Sequence, residues 1–217
     1  ATASNQLNIG NTIYGDLSND NVGIGVVPEA WSSGYSVLQV GGAGSLRCDS
    51  DTTANNLMLS SNLYNDGSEK RINTGHATTI VMDGGTHAFK VAPSGTADSA
   101  ISWTTAMTID NSGNLLVGTT NAAVGSSSSV TGGVISAAGI ISNGVDGNVC
   151  AVFNRQSTDG EIARFRKDGT TVGSIGVVSG DLYIRANGNN AVRLLDAANA
   201  FIPANNSGGD LDNVMDL

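Results

Sequence analysis

The sequence MTIDNSGNLLVGTTN, residues 107–121, indicates the fold more clearly than any other stretch. Apolar residues occupy alternate positions in two short runs, Met107/Ile109 and Leu115/Val117, with the polar residues NSGN between them. Alternation with a period of two is typical of a half-buried β-strand, and Asn and Gly readily adopt the positive φ angles of a hairpin turn. The stretch therefore predicts a β-hairpin.

Other parts of the chain repeat this pattern. Residues 19–25 (NDNVGIG) resemble the second half of the hairpin, and residues 175–184 (IGVVSGDLYI) resemble both halves. Further turns are indicated by GGAG at 41–44 and by Asp-Gly within residues 167–170. Residues 192–201 are also expected to be extended, since their neighbours are strands. We therefore predict an all-β fold of short hairpins that cannot fold alone.

The composition argues against an ordinary self-contained core. Charged residues make up 13% of the 217 residues and aromatic residues 5%, and there are 29 glycines. Much of the 40% hydrophobic fraction is Ala and Val, which bury little surface each. One copy would have difficulty offsetting the backbone entropy of so many small residues. We therefore expect several copies to pack around a shared axis.

Net charge and the cysteines exclude several classes of function. The formal net charge is −9 and the pI about 4.4, so nucleic acid and anionic membranes are poor partners. No stretch approaches the ~18 apolar residues of a membrane helix, so no membrane insertion is expected. Cys48 and Cys150 set no disulfide framework and are expected to be small buried residues. The chain begins without Met and stops abruptly, and is expected to be part of a longer protein.

The two histidines give no convincing catalytic or metal site. His76 and His87 lie in Gly/Thr-rich turns with no nucleophile motif nearby, and their spacing to Asp83 matches no common metal site. We expect exposed loop histidines. No glycine-rich loop ends in Lys-Ser/Thr, so no cofactor is expected.

Carboxylates offer two further possibilities, calcium binding and glycan hydrolysis. The pairs Asp49/Asp51 and Asp210/Asp212 lack the six or so oxygens that Ca²⁺ prefers, so acidic turns explain them better. Hydrolysis needs two carboxyl groups about 5–10 Å apart. No feature of the sequence selects such a pair among the plentiful Asp and the three glutamates, Glu29, Glu69 and Glu161.

Aromatic residues are the candidates for recognition. Residues 28–35 are expected to form an exposed loop, in which Trp31 and Tyr35 either stack on a sugar ring or pack against a neighbouring chain. Alternation over residues 99–110 predicts Trp103 in the core, on one face with Ile101, Met107 and Ile109.

Several phrases together resemble one family, the tail fibres and tail spikes of bacteriophages. Residues 107–121 and 21–27 (NVGIGVV) are similar to its repeated hairpins, and residues 154–177 to the segment that often follows them. Residues 201–217 resemble the lead-in to a C-terminal intramolecular chaperone domain, whose self-cleaving residues would lie beyond Leu217. The resemblance implies an elongated, intertwined homotrimer, a β-prism or β-helical stalk with a β-rich head, carried on the virion by other tail proteins and made in the host cytoplasm.

The predicted domains follow from the repeats and the resemblance. We expect a stalk-like repeat at 1–30, a head at 31–124 with the hairpin repeat at 99–121, a Gly/Ser linker at 125–133 and a β-prism segment at 134–217. The expected function is non-enzymatic attachment to a host surface glycan or outer-membrane component. The alternatives are a polysaccharide depolymerase and a purely structural shaft. The candidate receptor contacts are Trp31, Tyr35, Tyr64, His76 and His87.

Overall fold

The computed structural model describes residues 6–51, 55–188, 190–195 and 200–205. Within these ranges the structure has nineteen β-strands and no helix, so none that could span a membrane, and the predicted all-β fold is confirmed. The chain divides into two compact units, Ala1–Cys150 and Ala151–Leu217.

The first unit contains one sheet of twelve strands and a separate two-stranded hairpin. The strands of the sheet follow each other in space almost as in the sequence: β1 (Gln6–Ile9), β2 (Ile13–Asp16), β3 (Asn21–Ile24), β4 (Tyr35–Val40), β5 (Gly44–Asp49), β6 (Leu57–Ser61), β9 (Gly75–Asp83), β10 (Thr86–Gly95), β11 (Thr104–Ile109), β12 (Leu115–Val117), β13 (Gly132–Ile135) and β14 (Ile141–Gly144). The separate hairpin joins β7 (Tyr64–Asn65) to β8 (Glu69–Lys70).

All neighbouring strands of this sheet are antiparallel except β3 and β4, which are parallel. A parallel pair requires a crossover instead of a tight turn. Residues 25–34 supply it, and they pass so close to β3 that a Cβ on Gly23 would lie 2.1 Å from the carbonyl oxygen of Val26. Only glycine fits at that position.

The hairpin predicted at residues 107–121 is present. Met107 pairs with Val117, and Ile109 pairs with Leu115. Asp110 organises the turn, because its Oδ1 accepts hydrogen bonds from the backbone N–H groups of Ser112 and Asn114, both at 2.9 Å. This carboxylate satisfies backbone donors that the turn would otherwise leave unpaired.

Trp103 does not lie on the face predicted from alternation. The pairing between β10 and β11 shifts between Phe89 and Lys90, so that Met107 and Thr105 oppose consecutive residues and Ala106 is bulged. A bulge moves the residues before it to the opposite face. Trp103 precedes β11, is only half-buried and lies on the other side of the sheet from Met107 and Ile109.

The second unit is a five-stranded antiparallel meander. Its strands are β15 (Gly160–Lys167), β16 (Thr170–Val178), β17 (Asp181–Ala186), β18 (Ala191–Leu195) and β19 (Ala200–Ala204). Two-residue turns join the first three strands, and both residues of each turn have positive φ: Asp168 (49°) and Gly169 (78°), then Ser179 (51°) and Gly180 (88°). These are the type I′ angles that match the twist of a hairpin, and the Asp-Gly turn was predicted.

The buried apolar core of the described residues is small. One cluster joins Trp31, Val37 and Tyr64, and a second joins Leu116, Val124 and Val134. Both lie in the first unit. A core of this size agrees with the sequence-based expectation that one copy buries little apolar surface.

Four further sequence-based expectations are compared here with the structure: the linker, residues 192–201, the second carboxylate pair and the cysteines. The predicted linker at 125–133 lies inside the first unit, where β12 pairs with β13 across it. Extended structure is present at both ends of residues 192–201. Asp210 and Asp212 lie outside the described residues. Both cysteines are free, and Cys150 is exposed, contrary to the expectation of burial.

Candidate functional site

The strand register divides the first sheet into two faces, because directly paired residues point to the same side. One row of paired residues crosses the whole sheet and is almost entirely apolar: Leu7, Gly15, Val22, Leu38, Leu46, Leu59, Ile80, Phe89, Met107, Val117, Gly133 and Asn143. A second row on the same side consists of Leu57, Met82, His87, Ile109, Leu115, Ile135 and Ile141. We call this side the apolar face.

The opposite side carries many polar residues. Its rows include Asn21, Arg47 and Thr108, and the directly paired Gln39, Ser45, Ser60 and Thr79. We call this side the polar face.

Burial in the single chain is the reverse of the usual arrangement. On the apolar face Leu59 is 53% exposed and Val117 51%, whereas on the polar face Gln39 is fully buried and Arg47 is 2% exposed. Soluble monomers rarely expose contiguous apolar patches of this kind, and larger ones mark interaction sites. The apolar face is therefore the strongest candidate for an interaction surface.

The second unit shows the same reversal. The paired residues Ile175, Ile184 and Val192 lie on one side of its sheet, and Ile184 is 52% exposed. On the other side Ser174 and Tyr183 are buried. Within the part of the chain that the structure describes, two separate sheets thus leave their apolar sides exposed.

The buried side of the second unit is held together by ion pairs. Glu161 accepts hydrogen bonds from Arg185 and Arg164, and these lower the pKa of its carboxyl to about 2. Arg193 Nη2 lies 2.7 Å from Asp181 Oδ2. These charges are satisfied within the unit, so its polar side has little need of a partner.

The first sheet's apolar face is not flat. A groove of about 570 Å³ lies where Gly133 interrupts the apolar row, between Val117, Ile135 and Ile141. A second groove, of about 370 Å³, lies beside Val22, Leu38 and Leu46 and includes Cys48. Both are lined mostly by apolar atoms, so they suit the side chains of a protein partner.

The polar face is covered by loops of the same chain. Gln39 Oε1 accepts hydrogen bonds from the Trp31 indole N–H (3.1 Å) and the Glu29 backbone N–H (2.9 Å). The Trp31 ring packs edge-on against Tyr64, with centroids 6.5 Å apart, and is 4% exposed. Residues 28–34 do form a loop, and Tyr35 begins β4, but Trp31 is not exposed as expected: it faces inward and contacts its own chain.

A charged network fixes the neighbouring loops. The Arg47 guanidinium lies 4.8 Å from the centroid of the Tyr35 ring and pairs with Glu69, whose other carboxylate oxygen accepts the Trp103 indole N–H. Trp103 and Tyr35 are both half-buried. Trp103 and Tyr35 therefore leave more aromatic surface accessible to a partner than Trp31 does.

Tyr64, on the polar face, has a structural role. Its hydroxyl donates to Asp98 Oδ1 at 2.8 Å, which raises the pKa of Tyr64 to about 12. The ring is 7% exposed, so it offers little surface to a ligand.

Both histidines lie at exposed positions on β-strands instead of in turns. His87 pairs with Met82 and belongs to the apolar face. His76 is six residues before Met82 on β9, so the two histidines are ~20 Å apart. Among the described residues, no group of three or more His, Cys, Asp and Glu side chains is placed to hold a metal ion.

Comparison of the sequence with protein-family models, of the chain with curated proteins, and of the fold with solved structures finds no match. The function proposed below therefore rests on the geometry of the described residues and on the sequence resemblance stated above. Receptor contact by Trp31, Tyr35, Tyr64, His76 and His87 stays a prediction.

Proposed function

We propose that the chain is a receptor-binding segment of a bacteriophage tail fibre or tail spike, and that it attaches the virion to the host surface as a homotrimer. One observation supports the assembly: among the described residues, both units leave a row of apolar side chains exposed while they bury polar ones. The assignment to a tail fibre or tail spike rests on the sequence resemblance stated above. Covering these faces with identical faces of other copies removes the apolar surface from water without a different partner.

The order of the strands supports an extended assembly. Apart from the β7–β8 hairpin, which intervenes between β6 and β9, each strand pairs with its neighbours along the sequence, so the apolar row continues from one strand to the next across twelve strands. Three such faces around one axis would form the shared interior that the small core of a single chain lacks.

The assembly leaves the polar side facing outward. Residues 62–74 and 95–103, which contact one another through Arg71, then form the outer surface together with Trp103 and Tyr35. His76 and His87 would point towards the axis, and Trp31 and Tyr64 are buried. Among the five candidate receptor contacts, Tyr35 is thus the best placed. Three copies of a weak glycan or protein contact gain strength by avidity.

The state of two glutamates supports attachment over hydrolysis. Glu69 is engaged by Arg47 and Trp103, and Glu161 by Arg185 and Arg164. A general acid must hold a proton near the working pH, whereas the Arg185 and Arg164 contacts hold the Glu161 pKa near 2. Glu161 is therefore suited to an ion pair and not to protonating a leaving group.

Three measurements test the proposal. Light scattering on the purified chain should give three times the mass of 21.9 kDa, and a folded monomer would refute it. The labelled trimer should bind host cells and block infection without releasing reducing ends from their surface polysaccharide. Release of oligosaccharides would instead establish a depolymerase, and unchanged host range after exchange of residues 28–93 would establish a shaft.

A further inference from the structure

An ion pair on the polar face of the first unit links two aromatic rings. Glu69 lies in β8 with its side chain 30% exposed, whereas its ion-pair partner Arg47 is only 2% exposed. The Arg47 guanidinium also lies 4.8 Å from the centroid of the Tyr35 ring, and the second carboxylate oxygen of Glu69 accepts the Trp103 indole N–H. Both rings are half-buried. We call these four residues the aromatic–carboxylate cluster.

Backbone and side-chain contacts hold the cluster in one arrangement. The Ile101 N–H donates to the carbonyl oxygen of Glu69 at 2.9 Å, so the chain leading to Trp103 is tied to β8. Tyr35 is the first residue of β4, and its hydroxyl accepts a hydrogen bond from Asn65 Nδ2 at 3.3 Å. A site that is already ordered loses little conformational entropy when a ligand binds.

The cluster combines hydrogen-bond acceptors with aromatic surface, and its positive charge is buried. An ionised carboxylate has about four lone-pair positions, of which Arg47 and Trp103 each use one at Glu69. The remaining positions can accept hydrogen bonds from a ligand. Because Arg47 balances the charge of Glu69, a cation gains little there, and the net charge of −9 disfavours anions. The chemistry favours a neutral ligand that donates hydrogen bonds.

We propose that the aromatic–carboxylate cluster binds a neutral sugar of the host surface. A hydroxyl group of the sugar donates to Glu69, its apolar C–H face packs against the Trp103 ring, and Tyr35 adds a second aromatic surface. Aromatic walls with a few fixed polar groups are typical of small-ligand sites. The inference rests on the receptor-binding function proposed above, and it adds the class of receptor and the residues that contact it.

Treatment of the host cells tests the class of receptor. Periodate cleaves the vicinal diols of sugars and leaves peptide bonds intact, whereas a protease removes exposed proteins. Binding of the labelled trimer should be lost after periodate and kept after the protease. Binding that survives periodate would overturn this inference and, if the protease removes it, would establish a protein receptor. An unmodified trimer that binds no host cells would refute the proposed function as well.

Substitutions test the residues. Trp103→Leu should weaken cell binding about tenfold or more, and Trp103→Phe, which keeps an aromatic ring, should weaken it less. Both leave in place the Arg47–Glu69 ion pair, which satisfies a buried charge. Tyr14→Leu is the matched control, because Tyr14 is a half-buried aromatic residue on the polar face outside the cluster. Light scattering and the melting temperature must first show that each variant forms the trimer.

Two results of this comparison would overturn the site while host attachment stands. One is unchanged binding by Trp103→Leu, and the other is an equal loss in the Tyr14→Leu control.

Fluorescence gives a measurement on the unmodified chain. Of its two tryptophans, Trp31 is buried and Trp103 is half-buried, so acrylamide should quench mainly Trp103. Polysaccharide purified from the surface of the host cells should reduce this quenching. Unchanged quenching at a polysaccharide concentration that saturates binding would contradict contact with Trp103.

Discussion

Replacing Val117 by Thr tests whether the apolar face is covered by other copies. Threonine keeps the shape and the strand preference of valine, so the hairpin of β11 and β12 should still form. Val117 is 51% exposed in the single chain, so about half of its surface is left for a partner to cover. Burying a hydroxyl without a hydrogen bond costs about 1–3 kcal/mol, so we expect about 1–2 kcal/mol per chain.

Three chains triple that cost. A loss of about 3–6 kcal/mol per trimer raises its dissociation constant by a factor on the order of 10²–10⁴, and the concentration of half-dissociation, which follows the square root, by about 10–100-fold. Sedimentation over a dilution series measures this midpoint. Val27→Thr is the matched control, because Val27 is 59% exposed but lies in the crossover between Val26 and Pro28, which cover Gly23 on the polar face. Equal midpoints for the two variants would refute the assignment of the apolar face.

Three further substitutions test the described contacts. Arg71→Met should lower the free energy of unfolding by about 3 kcal/mol or more in a denaturant titration, because the buried guanidinium donates to the carbonyl groups of Gly75, Pro93 and Ala100 and to Ser99 Oγ, which would lose their partner. Gly95→Ala should destabilise by about 1–3 kcal/mol, since its Cβ would lie 2.7 Å from Arg71 Cζ; the control Gly34→Ala, where nothing lies within 4 Å, should be neutral. The pKa of Glu161 is lowered from 4.5 to about 2, so its contribution to stability is present above pH 4.5 and is lost as the pH falls towards 2. Glu161→Gln should therefore flatten the pH dependence of the melting temperature between pH 4.5 and 2. A pH profile identical to that of the unmodified chain would contradict the ion pairs.

The hairpins could be predicted because their signals are local. Alternation over four to six residues and an Asp-Gly or Asn-Ser-Gly turn are contained in a single short stretch, as at residues 107–121 and 167–170. Strand direction and register follow from such turns. The sequence therefore predicts the fold class and most of the individual strands.

The sequence could not show which face of the sheet is covered by other residues of the same chain. A period of two separates Val117 from Leu116, but the burial of the Leu116 side depends on Val124 and Val134, which follow outside the hairpin. Trp31 was expected to be exposed because its burial depends on Tyr64, thirty-three residues away. These contacts are set by tertiary packing, which local patterns do not record.

The position of Trp103 on the polar face was missed for a similar reason. The bulge at Ala106 leaves no mark in the alternation of residues 99–110, so Trp103 was placed with Met107. The network of Arg47, Glu69 and Trp103 joins residues far apart in the sequence. The apolar face, in contrast, could have been found from the sequence, because the alternation already places the apolar residues of each hairpin on one side.

The nearest-neighbour order of the strands also bears on how such a molecule changes over generations. Because each strand of the first sheet pairs only with the strand on either side of it, loss or duplication of two consecutive antiparallel strands, away from the parallel β3–β4 pair, keeps the direction and the face of every later strand. Gain or loss of a single strand would reverse the path. Recombination between related genes should therefore be tolerated in steps of whole hairpins, which would let the length of the molecule vary while its two ends stay unchanged.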